Sequence, residues 1–352
     1  MSESPFTIAV PDSKLRQLKQ KLAIILLPDE LKDTGWDYGA PLADIRRLGA
    51  RWKDDYDWRV HERQINDELP QFTRDINVHG TLNVHYVHKK SEVTGAIPLL
   101  FVHGWPGNFL EVRKILPLLV KGGLEHLSFH VVAVSLPGYG FLEAPRTKGF
   151  RLDQYAEVAN KLMLALGYNE YGFQVTRRIA RYYGDKHSPF TYVRALVTPY
   201  TTFEVAGIER TRWFETKGRG YFAIHATKPQ TLGYALEDSP VSLLAWIYEK
   251  LPVVTWTDGY EWDDDEILTW ISSYYFSRAG PAATLHIYYE LHNGNKRYPP
   301  ASESPAIPMG ISLFPKELII APPLRLQRHA NFAELKSPRM ERFAGLFHLL
   351  LW

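Results

Sequence analysis

The chain has no cysteine among its 352 residues. Disulfides, thiolate nucleophiles and cysteine-held metals are therefore excluded. Net charge is also scarce: 41 basic residues against 39 acidic ones leave +2. The two signs are interspersed rather than gathered in blocks, which removes the electrostatic footprint of a nucleic-acid partner. No apolar run approaches the roughly 18 residues that a membrane span requires. The apolar end FHLLLW (347–352) is far too short. The start, MSESPFTIAV, lacks the basic region and long apolar stretch of a secretory leader. A cytoplasmic location is expected, with no transmembrane segment. Neither an internal repeat nor a low-complexity tract is present, and no motif calls for a metal or a nucleotide.

Aromatic residues, by contrast, are plentiful: 10 Trp, 20 Tyr and 17 Phe. They fit a large aromatic core or an aromatic-lined apolar pocket equally well. Residues 1–75 read as an N-terminal helical and extended arm. Asp12 or Ser13 is placed to cap a helix through Ile25, with Leu15, Leu18 and Leu22 on one face. A loop-rich stretch carrying WDYG (36–39) and YDWR (56–59) follows, its aromatics placed to clamp the arm to the body.

From 76 to 202 strands and helices alternate, the signature of an α/β core. INVHGTLNVHYVHKK (76–90) alternates about a central His-Gly turn and predicts a hairpin. IPLLFVHG (97–104) and SFHVVAVSL (128–136) are continuous apolar strands, as in a parallel sheet buried on both faces. Helices are predicted over 109–120, 152–166 and 176–184, and further strands over 167–175 and 191–198. From 203 to 300 the alternation stops and helices dominate, at 239–251, 263–279 and 280–292. The Asp263-Asp264-Asp265 run suits a helix N-terminal turn, where carboxylates are favoured. Strand character returns at IPMGISLFPKEL (307–318). Residues 301–352 complete the core in shortened form, with a last strand and helix in 324–352.

The strongest chemical signal is Leu99–Gly107, LLFVHGWPG. A buried strand ends in a glycine-bracketed turn, and the amide of Trp105 can point to where charge develops on an oxygen. One strand later comes PGYG (137–140). At these residues the chain resembles the epoxide hydrolases, in the branch with an extra N-terminal domain that includes the microsomal enzyme and soluble fungal ones. The resemblance covers nearly the whole chain. LPDE (27–30), WDYG and YDWR carry it in the arm, HGWPG and PGYG in the core. TKPQTLGYALEDSP (227–240), LLAWIYEKL (243–251) and FPKEL (314–318) carry it further on.

The resemblance implies an α/β-hydrolase fold with an N-terminal helical arm and an inserted helical lid. It implies an apolar epoxide as ligand, a vicinal diol as product, and no cofactor or metal. A homodimer is compatible with it, although no residue marks the oligomeric state. In such enzymes a carboxylate attacks the epoxide carbon while two lid tyrosines protonate the oxygen, and a His–carboxylate pair then drives water onto the ester. The tyrosine positions fall on Tyr221 and Tyr288, with Tyr289 as the alternative one residue on. The acidic partner falls on Glu317, and the oxyanion donor on Trp105.

Two positions depart from the family pattern. The nucleophile belongs on a G-x-D-x-G elbow, but the chain reads Gln174-Val175-Thr176-Arg177 there. Asp185 follows the predicted helix and lies at its wrong end. The base belongs in G-G-H-F, but Arg339 to Gly345 hold no histidine before Phe343. His329 reaches the site only if the last segment is re-registered, and His348 falls in the predicted final helix. No nucleophile and no catalytic histidine is found. Three explanations fit: a member that binds without turnover, a coding sequence from which short segments have been dropped, or a non-covalent reaction run by the tyrosines and Glu317. A serine hydrolase is disfavoured, since no G-x-S-x-G elbow occurs.

Overall fold

The computed structural model describes residues 3–123, 127–175, 199, 201–255, 260–294, 316 and 318. The predicted elements over 176–198 and 307–352 lie outside the described residues. So do Asp185, Glu317, His329 and His348.

Six described strands form one mixed sheet: β1 (Ser4–Phe6), β2 (Gln71–Asn77), β3 (Thr81–Lys89), β4 (Ile97–Val102), β5 (Phe129–Val134) and β6 (Gly172–Val175). The order across it is β1-β2-β3-β5-β4-β6. The predicted hairpin is β2–β3, in register from Gln71↔Val87 to Asn77↔Thr81. Its turn places His79 and Gly80 at positive φ, 50° and 110°. β4 runs parallel to β5 on one side and to β6 on the other. The chain thus leaves β4 in one direction and later returns to its opposite flank. In open α/β sheets that reversal opens a crevice at the carboxyl ends of the strands. HGWPG follows β4 directly, PGYG follows β5, and Gln174-Val175 end β6 beside Phe101-Val102.

The arm is more helical than expected. α1 (Asp12–Ala23) begins one residue after Pro11, and no side chain caps it. Asp12 instead pairs with Arg59, and the helix stops before Ile25. The stretch expected to be loop-rich holds two helices, α2 (Leu42–Asp54) and α3 (Trp58–Glu68). Ile45, Leu48, Gly49 and Trp52 of α2 are buried at helical spacing. Asp57 caps α3 by accepting a hydrogen bond from the Arg59 amide at 2.9 Å. Within α3, Glu62 is buried but satisfied: it accepts from the Val10 amide at 2.7 Å and from Trp58 Nε1 at 3.1 Å, and pairs with Arg59.

Two further boundaries differ from expectation. The helix expected over 109–120 is a 3₁₀ turn, Phe109–Val112, followed by α4 (Leu116–Lys121). The strand expected over 167–175 keeps only β6. α5 (Leu152–Ala165) matches its expected span.

The helical block comprises α6 (Thr202–Trp213), α7 (Gly220–Thr227), α8 (Pro229–Asp238), α9 (Pro240–Tyr248), α10 (Leu251–Val254), α11 (Asp264–Tyr275) and α12 (His286–Asn293). Asp263 caps α11, accepting from the Asp265 and Glu266 amides at 2.9 and 3.3 Å. α11 is shorter than expected, and Gly280, at φ +78°, opens the 3₁₀ turn Pro281–Leu285 before α12. The arm is tied to α11 by polar contacts: Trp52 Nε1 donates to Ser272 Oγ at 3.0 Å, and Tyr56 Oη lies 3.0 Å from Thr269 Oγ1.

Candidate active site

The HGWPG loop lies at the carboxyl end of β4, and its shape is set by His103. This imidazole is fully enclosed. Its Nε2 accepts from the Leu136 amide at 3.1 Å, so Nδ1 carries the proton and donates to Gly104 O at 2.9 Å. Burial lowers its pKa to about 4. Both nitrogens are occupied, and His103 ties the loop after β4 to the loop after β5 instead of transferring protons. The Trp105-Pro106 peptide is cis.

α11 lies against the same loop and holds its carbonyls. Trp270 Nε1 donates to Pro106 O at 2.7 Å, and Tyr274 Oη donates to Gly107 O at 2.6 Å. Asn108 Nδ2 donates to Ser273 Oγ at 3.0 Å. Gly107 has no room for a side chain: a Cβ there would lie 1.8 Å from Glu111 Oε1 and 2.8 Å from Gly104 O. In PGYG, Gly138 and Gly140 take positive φ, and Tyr139 between them is buried with its hydroxyl donating to Thr284 O at 3.1 Å.

Against the HGWPG loop stands an aromatic cluster. Trp105 stacks on Tyr221 at 4.6 Å and 18°. Tyr288 meets Trp105 edge-on at 6.1 Å and Tyr221 edge-on at 5.7 Å. Tyr221 comes from α7 and Tyr288 from α12, so two helices of the block bring both phenols over the loop after β4. Tyr289, the alternative, sits instead near Lys148, whose Nζ is 6.0 Å from its ring. The structure therefore brings Trp105, Tyr221 and Tyr288 together and leaves Tyr289 aside.

Two further residues belong to the cluster and escaped the sequence reading. His225 lies one helical turn after Tyr221 on α7, so the two share a face. Its ring is enclosed, 4.7 Å from Trp105, 5.7 Å from Tyr221 and 5.2 Å from Tyr288. Its Nε2 accepts from Trp246 Nε1 at 3.2 Å. Burial, aided by Lys250, lowers its pKa to about 3. The second is Lys250, buried with Nζ 5.0 Å from the Tyr221 ring centre, where a cation–π contact steadies the phenol. The i, i+4 spacing of Tyr221 and His225 was the available signal for the first. Nothing in the sequence marks the second.

One other constellation looks chemical. His85 Nδ1 lies 2.8 Å from Ser135 Oγ and its Nε2 3.1 Å from Gln71 Oε1. A serine, a histidine and an orienting acceptor have the connectivity of an activated nucleophile. Yet Phe6, Phe109 and Phe141 pack around the imidazole, and Ser135 is fully buried. The chain of hydrogen bonds joins β2, β3 and the end of β5, and it spends both ring nitrogens of His85 inside the core.

Comparisons with known proteins agree with this architecture. Residues 3–112 match the family described as epoxide hydrolase N terminus, and residues 97–173 match the alpha/beta hydrolase fold family. A putative epoxide hydrolase of Stigmatella aurantiaca is 35% identical over 342 residues, covering 91% of this chain and 75% of that protein. Epoxide hydrolase 1 of Sus scrofa is 30% identical, covering 90% and 79%. An enantioselective mutant of the Aspergillus niger epoxide hydrolase superposes with a TM-score of 0.79 at 28% identity, covering 100% of this chain and 97% of that one. The chain belongs to the epoxide hydrolase family, with the epoxide hydrolase N-terminal region preceding an α/β-hydrolase core.

Proposed function

We propose that the chain binds an apolar epoxide between the HGWPG loop and the pair Tyr221 and Tyr288, whose hydroxyls donate hydrogen bonds to the epoxide oxygen. The convergence of those two phenols on Trp105, from separate helices, is the observation that carries this reading. As a ring C–O bond breaks, its electron pair passes to the oxygen, and a proton delivered from a tyrosine neutralises it. Water oxygen attacks that carbon, and the surplus proton of the water passes back to the tyrosinate, giving the vicinal diol. Trp105 serves as the oxyanion donor of the loop, and Glu317 as the carboxylate that orients the attacking water. The helical block 203–300 acts as a lid inserted in the sequence between the core segments 76–202 and 301–352, and 1–75 is the N-terminal arm.

A second reading has its own observation. β6 ends beside β4 at the place where the elbow belongs, and the next residues, Thr176 and Arg177, carry no carboxylate. On this reading the site holds the epoxide without forming an ester. Incubation with styrene oxide separates the two. Diol release that Tyr221→Phe and Tyr288→Phe each lower by about 10²-fold supports hydrolysis. Saturable binding with neither diol nor a protein mass increase of one epoxide supports the second reading. Absence of saturable binding overturns both.

A further inference from the structure

The aromatic cluster contains one polar group that neither the epoxide chemistry nor the packing uses. His225 Nδ1 is buried and has no hydrogen-bond partner among the described residues. Its tautomer follows from its other nitrogen. Trp246 Nε1 can only donate, so His225 Nε2 must accept. A neutral imidazole then has its single proton on Nδ1. The ring cannot act as a base there, because its only free lone pair is already engaged by Trp246. What remains is a desolvated N–H donor surrounded by the rings of Trp105, Tyr221 and Tyr288. Buried donors are rarely left unpaired, and one that is unpaired in the free protein points to a partner supplied from outside.

Position narrows what that partner is. Tyr221 and His225 project from the same face of α7, but the phenol is the longer side chain. Its hydroxyl reaches further from the helix than the imidazole does. A ligand whose epoxide oxygen sits at the tyrosine hydroxyls would then present its substituent, not its epoxide oxygen, to the N–H.

We infer that His225 is a specificity residue: its Nδ1–H donates to an acceptor oxygen on the substituent of the epoxide, selecting epoxides with an ether or carbonyl oxygen next to the ring-bearing carbon over hydrocarbon epoxides of the same shape. The inference rests on the epoxide reading of the site. A site built around a hydrogen bond discriminates against the analogue that lacks it, because the protein group is then left unpaired.

The test compares phenyl glycidyl ether with 1,2-epoxy-4-phenylbutane, in which a methylene replaces the ether oxygen. Dissociation constants are measured by calorimetry on the full chain. The wild type is expected to bind the ether about tenfold more tightly, the magnitude of one net hydrogen bond. His225→Phe, which keeps the aromatic packing, should bind the two alike. His225→Gln, which can accept from Trp246 and still donate, should restore the preference. Equal affinity of the wild type for both ligands overturns the inference, and so does a preference that survives in His225→Phe. If His225→Phe does not fold, the wild-type ratio and the His225→Gln ratio still decide. Failure of the wild type to bind either epoxide is a separate result, and it overturns the reading of the site itself.

Discussion

Gly107 shows how little latitude the HGWPG loop has. Its φ is not in the left-handed region, so conformational freedom does not explain the glycine. Space does: any Cβ would collide with the Glu111 carboxylate and with Gly104 O. Gly107→Ala must push Glu111 aside or bend the loop, and overpacking of this kind costs about 1–3 kcal/mol. Chemical denaturation should show that loss, and epoxide affinity should fall with it because Trp105 is two residues away. An unchanged denaturation midpoint would mean that Glu111 swings away freely. The motif HGWPG was legible in the sequence, and so was the resemblance that placed Tyr221 and Tyr288. The role of His103 was not. Only the structure shows both ring nitrogens spent on Gly104 O and the Leu136 amide. His225 stayed hidden for a similar reason: histidine at i+4 from a tyrosine is a common pattern, and its meaning depends on Trp246 being across the cluster.

Among the elements, α11 deserves the closest comparison with expectation. Its acidic first turn was visible, and Asp263 does cap it. Its partner was not visible, since nothing local tells a helix which loop it will brace. Tyr274→Phe tests that bracing. The change removes the donor to Gly107 O and leaves a buried carbonyl unpaired, at a cost of about 1–3 kcal/mol. A drop in melting temperature with no change in the far-UV circular dichroism spectrum is the expected result. No drop would mean that water replaces the phenol. In the arm, α2 falls in the stretch expected to be loop-rich, although its buried apolar residues recur at helical spacing. β6 is the opposite case. A nine-residue strand was expected and four residues are found, paired only to β4 among the described strands. β6 is short and its Phe173 is half exposed, whereas Leu99, Leu100 and Phe101 of β4 are buried, so β6 amides should exchange with deuterium faster than those of β4. Equal protection in both strands would contradict that ranking.

At the scale of the whole molecule, three enclosed histidines make folding sensitive to acid. His85, His103 and His225 sit at the β3–β5 junction, at the loop after β4 and in the aromatic cluster. Burial lowers their pKa values from 6.5 to about 3, about 4 and about 3. Near neutrality all three are uncharged whether the chain is folded or not, and they exert no pH effect. As pH falls below 6.5 the unfolded chain takes up protons at these sites while the folded chain does not. The unfolded state is then favoured, more so with each unit of pH until the folded pKa values are reached. A single site such as His103 contributes a few kcal/mol across its window, on the order of 1.4 kcal/mol per unit of difference. Acting in full, the three sites amount to on the order of 10 kcal/mol, comparable with the whole stability of about 5–15 kcal/mol available to a domain. The expected outcome is therefore loss of stability that begins just below pH 6.5, before most carboxylates start to titrate. His85→Phe should lower the midpoint pH of acid unfolding even though it removes two hydrogen bonds and reduces stability at pH 7. Acid titration followed by tryptophan fluorescence measures both quantities. A midpoint that stays fixed or rises in His85→Phe would show that groups other than the buried histidines govern the acid limit.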